Sequence, residues 1–329
     1  MILVVLIHAD NRELWEHGVQ TQFLVTDPLA SWVRELLSQV LARVAVPFFF
    51  LQSGYLFFSN YSGEWTNLLD KWKRRGESLL LPFLAWSSLA MLIVSLVGRR
   101  APWEWGTAKA LNAWLGITSP MLLFHLWFLR DLMVFIVLAP VLWFFAKRAP
   151  LLMLCLLFIL HVVGPWQFPW PSSLGLWYFF LGTVLAVRKW GGEGLDSYGR
   201  WWIGIYVLLA FVDSLDSGHS WSRGLHELGL LVGCGACWVW AGRWERSGGV
   251  WVQWLERLAP ASFFLYLAHE PLLRYLRYGL HDILPKNPIG ESYLLYGIPA
   301  VCAILICTAL YFNVMQRFAL LRRAFCGGR

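Results

Sequence analysis

The stretch RVAVPFFFLQSGYLFF, from Arg43 to Phe58, is apolar enough to lie in a lipid bilayer, although it begins with an arginine and carries Gln52-Ser53-Gly54 at its centre. With the residues before it, from Leu37, it has the length of the roughly 17 to 25 residues that a helix needs to cross a hydrocarbon core about 30 Å thick. Backbone polar groups find no water in that core, so a spanning segment is a helix or part of a closed barrel. The stretch lacks the alternation of period two found in barrel strands, which predicts a membrane-spanning helix.

The whole chain has the composition of a membrane protein. Of its 329 residues, 58% are hydrophobic and 14% are charged, whereas soluble domains have about 45 to 50% and about 25%. Similar apolar runs predict about ten spans, which are Met1–Ala9, Leu37–Phe58, Leu79–Val97, Leu123–Ala146, Leu151–Val163, Leu174–Val187, Trp201–Val212, Leu225–Ala241, Leu258–Leu276 and Tyr293–Phe312. The sequence therefore predicts an all-α membrane protein, a polytopic bundle of about ten transmembrane helices in a single domain over residues 1–329.

The first of these spans is shorter than a membrane helix. Its residues, Met1 to Ala9, reach about 13 Å at about 1.5 Å each, which is less than half of the core thickness. We expect that the true start lies upstream or that the protein lacks part of its first helix.

The distribution of basic residues predicts the orientation. With a cytoplasmic N-terminus, the inner loops and the C-terminal tail carry most of the lysines and arginines, as the positive-inside tendency requires. The formal charge of +7 then reflects topology and not nucleic-acid binding. We expect a multi-pass protein with both termini in the cytoplasm, surrounded by membrane lipid and without a nucleic-acid partner.

Four positions place ionisable groups inside the predicted spans, where a charge costs at least about 2.5 kcal/mol and by default marks a functional site. They are His8, Arg43, HLWFLRD from His125 to Asp131, and YLAHEPL from Tyr266 to Leu272. The direction of each helix places all four in the outer half of the bilayer, on different helices. We predict that they converge there on one site.

Each of these positions also has a structural explanation. A histidine near a helix end, such as His125, is commonly an interfacial residue. The Arg43 side chain could extend to the outer headgroups while its stem stays in lipid. Pro47 and Gln52-Ser53-Gly54 could serve only to bend the helix, although such bends are tolerated where the backbone lines a cavity.

The cluster has the residue types for proton transfer beside a developing negative charge. A histidine can take a proton from a hydroxyl and return it, and an arginine can stabilise an anionic intermediate or hold a phosphate. No serine or cysteine lies in a recognisable nucleophile elbow, which favours direct transfer. Asp131 and Glu270 are candidate partners that orient His8, and no ligand pair has the spacing of a metal site, so we predict no metal.

These stretches resemble the acyltransferase 3 family of multi-spanning bacterial O-acyltransferases. The matching segments are VVLIHA (Val4 to Ala9), ARVAVPFFFLQSGYLFF (Ala42 to Phe58), KWKRRGESLLLPFLAW (Lys71 to Trp86), FHLWFL (Phe124 to Leu129) and SFFLYLAHEPLL (Ser262 to Leu273). They follow the family's order over nearly the whole chain. Within the family, the sequence resembles the stand-alone members that O-acetylate surface glycans such as the enterobacterial common antigen.

The resemblance implies a reaction and a role for each residue. Acetyl would pass from cytoplasmic acetyl-CoA to a hydroxyl of a glycan or lipid-linked saccharide at the outer side of the bacterial inner membrane. The catalytic residues would be His8 as general base, with Arg43 and His269. Residues that bind the substrate would be Ser53, Tyr55, His125, Trp127, Asp131 and Glu270, and those that bind acetyl-CoA would be Lys71, Arg74 and Arg75.

Two departures from the family and two alternatives stay open. The arginine that the family usually carries about ten residues before the first-helix histidine has no position here. The second basic residue of the inner-loop pair falls on Ser78, so this loop could be a plain positive-inside loop.

The first alternative is a glycerolipid acyltransferase. That class needs His and Asp five positions apart, and His125 and Asp131 are six apart, which disfavours it. A non-enzymatic transporter or flippase of lipid-linked glycans would also keep polar residues at depth, but it predicts repeats that the sequence does not show.

Overall fold

The computed structural model is helical along most of the chain. It describes residues 1–10, 13–16, 19–22, 27–97, 106–118, 121–163, 171–190, 198–215, 222–281, 283–285, 287 and 289–328. In chain order, its helices are α1 (Ile2–Ala9), α2 (Pro28–Ser59), α3 (Trp65–Leu96), α4 (Thr107–Leu115), α5 (Trp127–Val137), α6 (Ala139–Arg148), α7 (Pro150–Val162), α8 (Ser173–Val187), α9 (Gly199–Leu215), α10 (Ser222–Ser247), α11 (Val250–Leu258), α12 (Ser262–His281), α13 (Ser292–Met315) and α14 (Ala319–Cys326). A short antiparallel hairpin of β1 (Glu13–Glu16) and β2 (Val19–Gln22) follows α1.

The predicted all-α membrane fold is confirmed. Among the described residues, four helices are long and apolar enough to cross a membrane, namely α2, α3, α10 and α13. The helices α5 and α6 together make a fifth candidate span, and α7, α8 and α9 are shorter apolar helices. Each predicted span overlaps one helix or, for Leu123–Ala146, two helices, and the chain is a multi-pass membrane protein.

The predicted span Leu123–Ala146 is not one straight helix. Its two parts, α5 and α6, meet at an angle of 64°. Pro140 is the second residue of α6, and its nitrogen has no hydrogen to donate to the carbonyl of Ile136, four residues earlier. That carbonyl instead accepts a hydrogen bond of 2.8 Å from the Trp72 indole. The proline therefore bends the span, and a side chain of α3 satisfies the carbonyl that the bend leaves open.

Helix α2 begins earlier than the sequence analysis predicted. Asp27 caps it by accepting a hydrogen bond of 2.9 Å from the Leu29 amide, and Pro28 occupies the first turn, where no amide donor is needed. The helix departs from α geometry over Glu35–Leu41, which form a π-helical segment, and over Ala42–Val44, which form a 3-10 turn. From Ala45 to Ser59 it is α-helical without interruption, including Gln52-Ser53-Gly54.

The chain divides into two compact units, and the division falls within α2. The first unit comprises residues 1–45 and 192–314, and the second comprises residues 46–191 and 315–329. In the first unit, α12 packs along α13, α9 packs along α10, and α1 lies against both α12 and α13. In the second unit, α8 packs against α6 and α7, and α14 packs against α3.

Gly54 of α2 and Gly182 of α8 allow the two helices of the second unit to touch through their backbones. A Cβ atom at Gly54 would overlap the carbonyl oxygen of Phe179, and one at Gly182 would overlap the carbonyl oxygen of Leu51. Small residues commonly permit such close approach between membrane helices. Gly54 therefore serves helix packing.

Replacing Gly182 with alanine is expected to destabilise the protein by about 1 to 3 kcal/mol, because the backbone of α2 has no room to move aside. The measurement is the temperature at which the detergent-solubilised protein loses its monodisperse gel-filtration peak. Gly204→Ala is the matched control, since a Cβ there meets no atom within 4 Å. Equal melting temperatures for the two variants would contradict the packing role.

Candidate active site in the first unit

His8, near the end of α1, and His269, in the middle of α12, lie side by side. Their ring centroids are 5.0 Å apart, and His269 is fully buried while His8 is half-buried. The Nδ1 atom of His269 lies 2.7 Å from the carbonyl oxygen of Tyr266 and 3.1 Å from that of Leu265. Because a carbonyl oxygen only accepts, Nδ1 carries the proton and Nε2 is the basic nitrogen of this ring.

Arg277, which is also on α12, holds α1 in place. Its Nη1 atom donates a hydrogen bond of 2.9 Å to the carbonyl oxygen of His8, and the residue is 3% exposed. The predicted span ended at Leu276 and left Arg277 in an outer loop. This boundary is wrong, because α12 continues to His281 and buries Arg277 against α1.

Glu270 lies two turns before Arg277, where residues seven apart share a helix face. It is buried, and its charge attracts that of Arg277. Its Oε1 atom has no hydrogen-bond partner among the described residues. A buried carboxylate oxygen without such a partner can accept a hydrogen bond from a bound hydroxyl. This suits the predicted role of Glu270 in substrate binding.

Arg43 of α2 is exposed, and its guanidinium points along the helix to Gln39, one turn earlier. Its Nε atom donates to the side-chain oxygen of Gln39 at 3.1 Å, and its Nη2 atom donates to the same oxygen. Arg43 lies in the turn Ala42–Val44, which packs against α1, the helix that carries His8. Arg43 therefore lies on the part of α2 that borders the helix of His8.

A hydrogen-bonded chain connects Arg43 to a buried ion pair. The side-chain amide nitrogen of Gln39, Nε2, donates to Asp10 Oδ2 at 3.0 Å. Asp10 Oδ1 accepts from Arg34 Nε at 2.9 Å. Asp10 and Arg34 are both buried. The carboxylate of Asp10 thus forms an ion pair with Arg34, whereas the guanidinium of Arg43 donates to the neutral side-chain amide of Gln39.

Asp10, Arg34 and Gln39 were not among the predicted site residues. With a second span that starts at Leu37, Arg34 falls in an outer loop. Asp27 followed by Pro28 is a helix-start signal that moves the boundary upstream and places Arg34 on the helix. The pairing of Arg34 with Asp10 has no sequence signal, since the two residues come from different helices.

Ser38 and Tyr296 attach the same part of α2 to its neighbours. The hydroxyl of Ser38 donates a hydrogen bond of 2.9 Å to the carbonyl of Leu6 in α1 and lies 2.8 Å from the hydroxyl of Tyr296 in α13. The Tyr296 ring lies under the guanidinium of Arg34, 5.3 Å from its centre. These contacts fix α1, and with it His8, against α2 and α13.

The other predicted substrate-binding residues belong to the second unit. His125 is buried and Trp127 is half-buried at the start of α5, and Ser53 and Tyr55 are half-buried on α2. That these residues join the His8 cluster stays a prediction.

Asp131 has a structural role in the second unit. Its Oδ1 atom accepts from Arg130 Nη2 at 2.9 Å, and its Oδ2 atom accepts from the Ser172 amide at 2.7 Å. Ser172 caps α8, so Asp131 fastens the start of α8 to α5. Both carboxylate oxygens thus have a partner within the unit, and the role of Asp131 in substrate binding stays a prediction.

The basic residues predicted to bind acetyl-CoA lie in the first turns of α3. Lys71 is half-buried and donates a hydrogen bond of 2.9 Å to the carbonyl oxygen of Phe57. Arg74 is exposed and Arg75 is half-buried. An exposed arginine can contact a phosphate directly, so Arg74 fits the predicted role better than Lys71.

Comparison with known proteins is consistent with the motifs. The model of the acyltransferase 3 family, described as an acyltransferase domain, matches residues 1–312. The chain is 30% identical over 341 aligned positions to the Succinoglycan biosynthesis protein ExoH of Rhizobium meliloti, an alignment that covers 96% of this chain and 86% of that protein. No solved structure matches the chain significantly.

Proposed function

The chain belongs to the acyltransferase 3 family, and from this premise we propose that it transfers an acetyl group to a hydroxyl of a cell-envelope glycan. Because the chain belongs to this family, it is an acyltransferase, and the resemblance inferred from the sequence motifs is confirmed. The relative named for succinoglycan biosynthesis supports a glycan acceptor. The observation that carries the proposal is the pairing of His8 with His269, with Arg43 in the turn of α2 that packs against the helix of His8.

In the proposed reaction, His8 is the general base. It accepts the proton of the acceptor hydroxyl while the hydroxyl oxygen attacks the carbonyl carbon of the donor thioester. The ester C–O bond forms, the C–S bond breaks, and the proton on His8 passes to the leaving sulfur. The basic Nε2 atom of His269 can accept a hydrogen bond from the same acceptor, and Glu270 can hold a neighbouring hydroxyl.

Arg43 stabilises the negative charge that develops on the carbonyl oxygen. This requires a cation whose position is fixed before the reaction. Gln39 supplies this requirement, because its side-chain oxygen accepts from two guanidinium nitrogens of Arg43. Nη1 is then the part of the guanidinium directed away from Gln39.

The proposed donor is acetyl-CoA from the cytoplasm, and the proposed location is the bacterial inner membrane with both termini cytoplasmic. The basic residues at the start of α3 support this orientation, because Arg74 and Arg75 can hold the phosphates of the donor near the membrane surface. The acceptor is then acetylated on the opposite side of the bilayer.

The test compares the cell-envelope glycans of cells with and without the gene. Proton NMR and mass spectrometry are expected to show acetyl esters that disappear on deletion and return when the gene is supplied on a plasmid. The control plasmid carries the gene with an early stop codon. Identical acetylation in all strains would contradict the proposal, and a change in glycan export without a change in acetylation would favour the flippase alternative.

Replacing Gln39 with leucine is expected to lower acetyl transfer by roughly 10-fold to 100-fold, because a lost hydrogen bond to a charged group costs about 1.5 to 3 kcal/mol. The measurement is ester content per amount of protein in the membrane. Gln52→Leu, an exposed position further along α2, is the matched control and is expected to stay within about twofold. Equal activity of Gln39→Leu and Gln52→Leu would show that Gln39 does not position Arg43.

A further inference from the structure

The short helix α11, between α10 and α12, has no buried residue. We propose that α11 is an interfacial helix that lies in the headgroup region of the bilayer and binds anionic phospholipid. The leaflet concerned is the one that the C-terminal end of α10 reaches.

Five of the six apolar residues of α11 form one continuous stripe, which excludes the half-buried Val252. The five are between 42% and 79% exposed, and they are Val250, Trp251, Trp254, Leu255 and Leu258. At the angle between successive residues of an α-helix, they fall within an arc of about 140°, whereas Gln253 and Glu256 lie on the opposite side. An apolar stripe of this kind needs a covering surface, since patches of its size are rarely left in water.

The position of α11 along the chain identifies lipid as that surface. Helix α10 is apolar enough to cross the membrane and ends at Ser247. Gly248 and Gly249 alone separate it from α11, so α11 starts within about 10 Å of the end of a spanning helix. Gly248 has a φ of 57°, a conformation that favours glycine and turns the chain sharply.

Tryptophans near the end of α10 mark the depth of the headgroups. Trp240 and Trp244 are exposed, and their ring centroids lie 4.7 Å apart on successive turns. Tryptophan rings are enriched at the boundary between hydrocarbon and water. The stripe of α11, which contains two further tryptophans, therefore begins at the level of the interface.

The charges around the stripe favour an anionic lipid. Arg257 borders it, with its guanidinium 5.7 Å from the centre of the Trp254 ring, and Arg243 and Arg246 lie in the last turns of α10. An arginine at the edge of an apolar face can bind a lipid phosphate while its stem stays in the acyl region. Glu256 faces away from the stripe and does not oppose this contact.

The contact has a consequence for the candidate active site. A 3-10 turn, Ala259–Ala261, connects α11 directly to α12, and α12 carries His269. An interfacial α11 would set the depth at which α12 enters the membrane.

The test places a fluorescent probe on each side of α11. The full-length protein, with its six cysteines replaced by serine or alanine, receives one new cysteine by Trp251→Cys or Leu255→Cys on the stripe, or by Gln253→Cys or Glu256→Cys opposite. Each variant is labelled with an environment-sensitive fluorophore in vesicles of phosphatidylcholine and phosphatidylglycerol with brominated acyl chains. We expect blue-shifted emission and at least about threefold stronger bromine quenching on the stripe, and weaker quenching when phosphatidylglycerol is omitted.

Three outcomes would overturn the proposal. Equal quenching on both faces would show that α11 does not lie in the interface. Blue-shifted emission without quenching on the stripe would indicate a second copy or another protein as the cover. Quenching that does not depend on phosphatidylglycerol would exclude selectivity for anionic lipid.

A second variant keeps the test valid if the cysteine-free protein does not fold. With the native cysteines retained, Trp251→Phe/Trp254→Phe is expected to lose part of the tryptophan emission that brominated lipid quenches. An unchanged quenched fraction would overturn the proposal as well.

Discussion

Replacing His8 with alanine is expected to reduce acetyl transfer at least about 100-fold, since general-base catalysis contributes typically 10²-fold to 10⁴-fold. The side chain is half-buried at the end of α1, beside His269, so its removal takes away a group that contacts the reacting hydroxyl in the proposed mechanism. The measurement is the rate of radiolabelled acetyl incorporation into glycan by membranes that contain equal amounts of each protein.

His226→Ala is the control for this variant. His226 belongs to the same unit, where its Nδ1 atom lies 2.7 Å from Asp213, and it has no place in the proposed mechanism. We expect its activity to stay within about threefold of the wild-type protein. Wild-type activity in His8→Ala would remove His8 from the reaction, and equal losses in both variants would point to damage to the fold.

Replacing Arg43 with alanine is expected to lower the rate of transfer at least about 100-fold. The loss of one hydrogen-bond donor to a developing oxyanion typically has an effect of this size. Membrane insertion should stay intact, because the side chain is exposed and its hydrogen bonds go to Gln39. Arg43→Lys is expected to recover part of the activity, since lysine supplies the charge but not the planar fork of arginine. The measurements are the same transfer rate and the amount of protein in washed membranes.

Arg223→Ala, at an exposed position at the start of α10, is the control for the removal of a cation from the first unit. Its transfer rate is expected to match that of the wild-type protein. If Arg43→Ala has the same rate as Arg223→Ala, Arg43 only extends toward the headgroups and plays no part in the reaction.

The fold could be predicted from the sequence because the length of an apolar run decides whether a membrane helix forms. The irregularities of the helices were harder to predict, although two of them have a signal in the sequence. Pro140 indicates the bend between α5 and α6, and Asp27-Pro28 indicates the start of α2. The close contact at Gly54 and Gly182 could not be anticipated, since it depends on which helix becomes the neighbour of α2.

Part of the candidate site could also be predicted. His8 and His269 were recognisable because an imidazole at membrane depth has few other reasons to be there. Arg277, Gln39 and Asp10 were missed because their partners come from other helices or from the backbone, and spacing along one helix cannot reveal them. For the same reason, the hydrogen bond that Asp131 accepts from Ser172 has no signal in the sequence.

The most direct test of the central claim counts both products of one turnover. Purified protein is reconstituted into vesicles with acetyl-CoA on one side and a glycan acceptor on the other, and free thiol and acetyl ester are measured together. The proposed mechanism predicts one thiol released for each ester formed, with both absent in His8→Ala. Glycan that crosses the membrane without release of thiol, or ester formation that does not need His8, would contradict it.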